Sequence, residues 1–97
     1  MTWVQIQKAE QARWEDYERV GEALNLEDPP PGLIYHAAGE QPDGRWQAVS
    51  IWESEADYVR FLEERALPAV RQALGEEMAA APPPPSESFE AKHVIAP

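Results

Sequence analysis

Two histidines are the side chains in this sequence best suited to moving protons, because imidazole titrates close to neutral pH. His36 lies near the centre of the apolar run GLIYHAAG, and His93 lies near the C-terminus in EAKHVIA. Burial among apolar groups lowers the pKa of an imidazole and keeps it available as a neutral base. His36 is therefore the candidate catalytic residue, and the alternative is a packed histidine that only hydrogen-bonds its neighbours. For His93 we expect exposure to solvent or a contact between subunits.

Aromatic rings are the second chemical feature, with four tryptophans, three tyrosines and two phenylalanines in 97 residues. Such rings line ligand pockets as readily as they fill cores. Helical spacing favours a core position for Trp14, Tyr17 and Phe61. The predicted walls of a substrate pocket are Tyr35, Trp46, Trp52 and Tyr58. For Trp52 and Tyr58, packing in the core remains the alternative.

Composition and spacing exclude several kinds of chemistry. The chain has no cysteine, which excludes disulfides, thiolate nucleophiles, Cys-based zinc sites and iron-sulfur clusters. Its two histidines are not spaced with each other or with carboxylates as metal ligands on one face would be. A glycine-rich phosphate loop and a nucleophile elbow are missing from the sequence. The acidic runs are interpreted as solvated helix surface, which does not provide the opposed environments that a catalytic pair of carboxylates needs. From these observations together we expect neither a metal nor an organic cofactor.

The charge of the chain argues against two classes of partner. Eighteen acidic residues and eight basic residues give a formal net charge of -10. Such a charge repels phosphate backbones and anionic lipid headgroups, so neither nucleic acid nor a membrane surface is an expected partner. The N-terminal residues lack the pattern of a secretory signal, and no stretch is apolar enough to cross a bilayer. We therefore expect a cytoplasmic protein.

Sequence periodicity predicts a strand, a helix and a hairpin in the first half of the chain. Residues 2–7 alternate between two faces, which is typical of a strand. Residues 9–24 change to three- and four-residue spacing, which predicts an amphipathic helix. The residues of this helix expected to face the sheet are Tyr17, Val20 and Leu24. After three prolines that favour an extended connector, residues 33–52 are predicted to form a hairpin around the turn residues 40–44.

A second helix follows the hairpin. Ser54 with Asp57 three residues later is typical of a helix N-terminus, so a helix is predicted over residues 54–67. Pro68 is expected to break or kink this helix, leaving a short continuation that ends at Gly75. The expected buried stripe consists of Ala56, Val59, Leu62 and Ala66, with Tyr58 and Phe61 beside them.

The last part of the chain is predicted to be a loop and a strand. Residues 82–88 form a proline-rich loop, and residues 88–96 form the closing strand. The resulting order β-α-β-β-α-β predicts an α+β, ferredoxin-like fold in one domain over residues 1–97, with a four-stranded antiparallel sheet. Both helices then cover one face of the sheet and leave the other bare. A homodimer through this open sheet face would bury it.

The same residues resemble a known family. The strand GLIYHAAG, the turn with DGRW and the run AVSIWESEADYVRFLEERALPAV resemble the dimeric α/β-barrel superfamily, specifically small proteins related to the antibiotic-biosynthesis monooxygenases. The run WES at residues 52–54 carries most of this resemblance, because it leads from a strand into an amphipathic helix with Phe61 and a following Leu-Pro at 67–68. The resemblance covers residues 2–96 and implies a dimeric α/β barrel.

The resemblance implies several activities rather than one. The superfamily includes cofactor-independent monooxygenases, lactone isomerases, polyketide cyclases and haem-degrading enzymes. The haem-degrading relatives bind iron through a histidine on a helix, whereas His36 and His93 both fall in predicted strands, so a haem role is disfavoured. The first hypothesis is therefore cofactor-independent oxygenation, cyclisation or isomerisation of an aromatic or polyketide-like secondary metabolite, with His36 as the base and an apolar, aromatic-lined pocket in each subunit.

The alternative is a non-catalytic dimer of the same fold that binds a hydrophobic ligand, or a stress-associated protein. The direction of the His36 side chain distinguishes the two hypotheses. A side chain directed between sheet and helices into an open cavity favours the enzyme. A side chain packed in the dimer interface favours the alternative.

Overall fold

Strands and helices alternate in the predicted order, with two extra helical segments before the last strand. The computed structural model describes residues 2–25, 27–82 and 84–95. The strands are β1 (Thr2–Arg13), β2 (Leu33–Glu40), β3 (Arg45–Trp52) and β4 (Ser86–Ala91). The helices are α1 (Trp14–Leu24), α2 (Glu55–Phe61), α3 (Leu67–Leu74) and α4 (Glu76–Ala80), and a π-helical segment (Leu62–Ala66) joins α2 to α3.

The four strands form one antiparallel sheet in the order β2-β3-β1-β4. This is the strand order of the ferredoxin-like fold, so the predicted fold class is confirmed. Helices α1 and α3 pack against each other. Tyr58 on α2 contacts Trp3 and Trp52 of the sheet, and Tyr17 on α1 contacts Trp46. All three tryptophans lie on one face of the sheet, which is therefore the face that the helices cover.

Pairing between strands assigns the remaining side chains to faces, because directly paired residues share a face. One row crosses the whole sheet on the helix side, and it consists of His36 on β2, Ser50 on β3, Gln5 on β1 and Ser88 on β4. The opposite face is the open face, defined by Val4, Ile6, Tyr35, Val49, Ile51 and Phe89. The helix side thus carries a polar row, and the open face is mainly apolar.

Strand β1 is longer than predicted, and α1 begins later. Residues 9–13, predicted to open the helix, belong to the strand and contact the neighbouring hairpin instead. The Gln41 side chain donates to the Ala9 carbonyl over 3.0 Å, and the Arg45 guanidinium donates to the Glu10 carbonyl over 2.9 Å. These bonds satisfy backbone groups that a helix would have satisfied internally, so tertiary pairing outweighs helical propensity here.

The hairpin and the start of α2 are confirmed. Gly44 has a φ of +91° in the turn between β2 and β3, a conformation that glycine adopts at little cost. Its carbonyl accepts from the Trp14 backbone over 2.9 Å and so fixes the first residue of α1 to the turn. Ser54 accepts from the Asp57 backbone over 3.2 Å, which caps the N-terminus of α2.

The buried stripe of the second helix differs from the prediction. Ala56 and Val59 are exposed, and Tyr58 and Phe61 contact the sheet through Trp52 instead. The large rings of Tyr58 and Phe61 pack on the sheet, and the smaller side chains of Ala56 and Val59 remain on the solvent side of the helix. Pro68 does not end the helix, because the chain widens into the π-helical segment just before it. Pro68 has no backbone N–H, and its ring crowds the turn before it, which is where the π-helical segment lies.

The C-terminal part of the chain also differs from the prediction. Helix α4 was not predicted, and β4 begins at Ser86 within the predicted loop. Because β4 ends at Ala91, His93 lies after the strand and is exposed. Pro83 of the predicted loop, Ala96 of the predicted strand and the two chain ends of the predicted domain lie outside the described residues.

Candidate functional site

His36 lies on the helix side of the sheet, at the centre of the edge strand β2. It is paired directly with Ser50 on β3, and Ser50 is buried. Tyr17 reaches the same place from the first turns of α1. The turn that precedes β3 sets the pairing of His36 with Ser50, and the bond from Trp14 to Gly44 sets the position of α1. The hairpin therefore positions all three side chains.

Hydrogen bonds join these side chains into one chain, Tyr17–His36–Ser50. The Tyr17 hydroxyl is bonded to Nε2 of His36, and Nδ1 of His36 is bonded to Ser50 Oγ over 3.0 Å. A neutral imidazole carries one N–H, and a phenol donates readily to an unprotonated nitrogen. The assignment that we adopt has Tyr17 donating to Nε2 and His36 donating through Nδ1 to Ser50 Oγ.

Burial shifts the pKa of two members of this chain. The His36 side chain as a whole is exposed, but its ring nitrogens face Tyr17 and Ser50, and this local loss of hydration lowers the pKa of His36. Burial likewise raises the pKa of the Tyr17 hydroxyl. Both shifts favour the neutral forms. At pH 7 the chain therefore consists of a neutral imidazole between two neutral hydroxyl groups.

Two tryptophans flank the Tyr17 end of this chain. Trp14 stacks on Tyr17 with ring centroids 5.1 Å apart and planes 14° from parallel. Trp46 packs against Tyr17 in a tilted arrangement with centroids 5.4 Å apart. Trp46, one of the predicted pocket walls, is thus linked to His36 through Tyr17.

Trp52 and Tyr58 form a second aromatic cluster with Trp3 and Phe61. Trp52 is only 2% exposed, which makes it the most buried large side chain of the described core. Its indole N–H is also buried and has no hydrogen-bond acceptor within the described part of the chain. Strand geometry places Trp46 and Trp52 about 20 Å apart on one face, with Ser50 between them.

Tyr35 lies on the other face of the sheet. It pairs with Ile51 on the open face and is 61% exposed. The register of β2 shifts between Leu33 and Tyr35, which leaves Ile34 without a direct partner. The four residues predicted as walls therefore do not enclose one pocket: Trp46 lies beside the Tyr17–His36–Ser50 chain, Trp52 and Tyr58 belong to the second cluster, and Tyr35 is on the opposite face.

Two surface cavities lie away from His36. One, of about 430 Å³, is lined by Trp3, Ser54, Glu55 and Glu90 at the β4 side of the sheet. The other, of about 170 Å³, lies at the β2–β3 hairpin and is lined by small and apolar residues with Gln47. His36 is thus directed between sheet and helices, but neither of these cavities opens onto it, so they do not supply the open cavity that the enzyme hypothesis requires.

The site contains two residues that sequence reasoning did not assign to it. Tyr17 was predicted to pack in the core, and Ser50 was not singled out. A signal for Ser50 was present, because counting outward from a turn at residues 42–44 pairs position 36 with position 50. No comparable signal identifies Tyr17, because a core residue on this helix would show the same three- and four-residue spacing.

Within residues 2–25, 27–82 and 84–95 there is no group of three or more His, Asp or Glu side chains that could hold a metal ion. No helix in the described part of the chain is long and apolar enough to cross a membrane.

Solved structures with the same fold include an oxygenase. SnoaB, a cofactor-independent oxygenase from Streptomyces nogalater, has a TM-score of 0.60 at 16% identity, covering 97% of this chain and 94% of that one. A Nitrosomonas europaea protein provisionally assigned as an antibiotic biosynthesis monooxygenase has a TM-score of 0.67 at 15% identity, with coverage of 98% and 94%. A Deinococcus radiodurans protein with the same provisional assignment has a TM-score of 0.61 at 16% identity, with coverage of 99% and 97%.

These likenesses extend over nearly the whole of each chain. No protein-family model matches the sequence, and no curated protein matches it. The protein has the ferredoxin-like fold of the antibiotic biosynthesis monooxygenase-like proteins, and the predicted resemblance is confirmed at the level of the fold. At such low identity, the activity of those proteins does not transfer with the fold.

Proposed function

We propose that this protein is a homodimeric, cofactor-independent oxygenase that acts in the cytoplasm on an aromatic, polyketide-like secondary metabolite. The observation that carries the proposal is the Tyr17–His36–Ser50 chain on the helix side of the sheet. A lowered pKa keeps the imidazole of His36 a neutral base at physiological pH. The fold shared with a cofactor-independent oxygenase supports the same conclusion.

An anthrone illustrates the reaction and its balance. His36 accepts a proton from the methylene carbon between the outer rings, and the electron pair left behind is delocalised over the aromatic system. Molecular oxygen oxidises this electron-rich carbanion. One oxygen atom becomes the new carbonyl group and the other leaves as water, so one anthrone and one O₂ give one anthraquinone and one H₂O. The protein supplies a base, an orientation and exclusion of water.

The aromatic cluster around Tyr17 holds the substrate. Trp46 packs against Tyr17, so an aromatic substrate that reaches the Tyr17–His36–Ser50 chain stacks on these rings. Trp52 and Tyr58 belong to the second cluster, which packs α2 on the sheet.

The homodimer forms through the open face. Its apolar members include Tyr35 and Phe89, which are 61% and 53% exposed in the isolated chain. The pairing of the strands places Lys8, Glu87 and Arg45 as charged groups on the same face, with Arg13 paired to Arg45. A second copy related by a twofold axis covers this surface with the same surface, which is the commonest way for one apolar patch to be buried.

One observation favours the alternative, a non-catalytic dimer that binds a hydrophobic ligand. Both ring nitrogens of His36 are already bonded to other residues, and neither cavity described above reaches it. If these bonds persist when a ligand is present, His36 has only a structural role.

Dithranol, a 1,8-dihydroxyanthrone, is the probe that tests the proposal. We expect protein-dependent formation of the quinone under air, followed by absorbance and oxygen uptake. The substitution His36→Gln should lower kcat about 100-fold or more, because a positioned general base contributes about 10²–10⁴-fold.

The rate of the wild-type protein should be independent of pH above 6.5 and should fall as the pH drops below the lowered pKa of His36, because imidazolium cannot accept a proton.

His93→Gln is the matched control, since His93 is exposed and lies outside the sheet. This variant should retain the wild-type rate and pH profile. Turnover no faster than in buffer, or an unchanged rate in His36→Gln, would contradict the proposal and favour the non-catalytic dimer.

A further inference from the structure

Both ring nitrogens of His36 are occupied, and this restricts how a substrate proton can reach the base. Nδ1 is bonded to the buried Ser50 hydroxyl, and Nε2 is bonded to the Tyr17 hydroxyl. Ser50 lies within the sheet and is 8% exposed, so that end of the chain is closed to a ligand. The Tyr17 end is only half-buried and lies between Trp14 and Trp46.

We infer that Tyr17 is a second catalytic residue, whose hydroxyl takes the substrate proton while passing its own proton to His36. This inference rests on the proposed function and assigns an entry point to the same site. His36 then acts through Tyr17 and need not touch the substrate carbon. The two tryptophans beside Tyr17 supply flat apolar surface against which an aromatic substrate can stack.

The proton transfer balances without any further reactant. The substrate C–H bond breaks and its proton bonds to the Tyr17 oxygen, as the original Tyr17 O–H bond breaks and that proton bonds to Nε2 of His36. The electron pair stays on the substrate carbon. The imidazolium keeps Nδ1–H donated to Ser50 Oγ, and reversal of these steps protonates the terminal oxygen of the peroxide that O₂ forms at this carbon. The carbon then loses its second proton as the O–O bond breaks, and that proton joins the departing hydroxide, which gives water and the new carbonyl group.

The surroundings of Tyr17 suit a relay better than an independent base. Burial raises the pKa of its hydroxyl, so Tyr17 remains protonated and can donate to Nε2 at physiological pH. Its backbone position is fixed at the start of the helix that carries it, where the Trp14 backbone N–H donates to the Gly44 carbonyl. A relay requires this kind of fixed geometry between donor and acceptor.

The test is a kinetic comparison on dithranol of Tyr17→Phe, His36→Gln and the double variant. Tyr17→Phe keeps the ring that packs on Trp14 and Trp46 and removes only the hydroxyl. We expect kcat to fall about 100-fold with little change in KM, since the hydroxyl acts in the proton transfer and the ring provides the binding surface. The double variant should be no slower than His36→Gln alone, because residues that act as one unit are not additive.

Incorporation of 3-fluorotyrosine at position 17 is the second variant, because it retains both ring and hydroxyl. It should keep kcat within a few-fold of the wild type, and the urea midpoint of Tyr17→Phe should match that of the wild type, which separates loss of the proton transfer from misfolding. Wild-type kcat in Tyr17→Phe together with a loss in His36→Gln overturns the relay and leaves the proposed function intact. Additive losses in the double variant, or a rise in KM alone, would also overturn it. Unchanged kcat in both single variants would contradict the proposed function itself.

Discussion

Val49→Asp is expected to separate the proposed homodimer into monomers. Val49 lies at the centre of the open face, paired directly with Ile6 and Ala37 on the neighbouring strands. A twofold interface would bury the new carboxylate in each subunit without a cationic partner, at a cost of about 3–5 kcal/mol. That cost weakens the dimer by about 10²–10⁴-fold. Native mass spectrometry or light scattering at a fixed protein concentration measures the change.

Val59→Asp is the matched control for this substitution. The two valines are almost equally exposed in the isolated chain, at 38% for Val49 and 40% for Val59, but Val59 lies on the outer surface of α2. Val59→Asp should therefore remain a dimer. Equal dissociation of both variants would mean that added charge alone is responsible, and a stable Val49→Asp dimer would mean that the subunits do not meet through the open face.

Trp52→Ala is expected to cause the largest loss of folding stability of any single truncation in the core. Trp52 is 2% exposed and contacts Tyr58 and Phe61 with ring centroids 5.7 and 5.3 Å away. Removing this indole leaves a cavity between the sheet and α2, and such truncations cost about 3–5 kcal/mol of the free energy of unfolding. Urea denaturation followed by circular dichroism gives the value, at one protein concentration because assembly is coupled to folding.

Trp52→Phe provides the comparison for Trp52→Ala. It keeps a ring in the cavity and removes the indole N–H, which has no acceptor in the described part of the chain. We expect it to cost distinctly less than Trp52→Ala, since losing an unsatisfied donor offsets part of the lost packing. A loss below about 1 kcal/mol for Trp52→Ala would contradict its place at the centre of the core.

Local signals were enough to predict the order of the elements. The turn residues between β2 and β3, the Ser54 cap and the alternation in β3 each act over a few residues, and the structure confirms all three. The end of β1 was predicted wrongly because its last residues are held by side chains of the hairpin, some 30 positions away in sequence. Helical spacing cannot report such distant partners.

The candidate site was less predictable than the fold. Strand alternation correctly separated Tyr35 from His36, but which face the helices cover depends on tertiary packing. The expected single pocket was wrong because Trp46 and Trp52 contact different helices, α1 and α2. The hydrogen-bond partner of His36 Nε2 could not be predicted from the sequence either, because Tyr17 lies on a different element, α1.

The central claim is that an aromatic substrate binds on the helix side of the sheet, next to His36. The measurement that tests it most directly is an NMR titration of the labelled protein with dithranol under nitrogen, where the absence of O₂ prevents turnover. We expect saturable shifts of the Trp46 indole N–H signal and of the His36 ring nitrogens. Shifts confined to the open face around Tyr35, or no saturable shift at all, would contradict it.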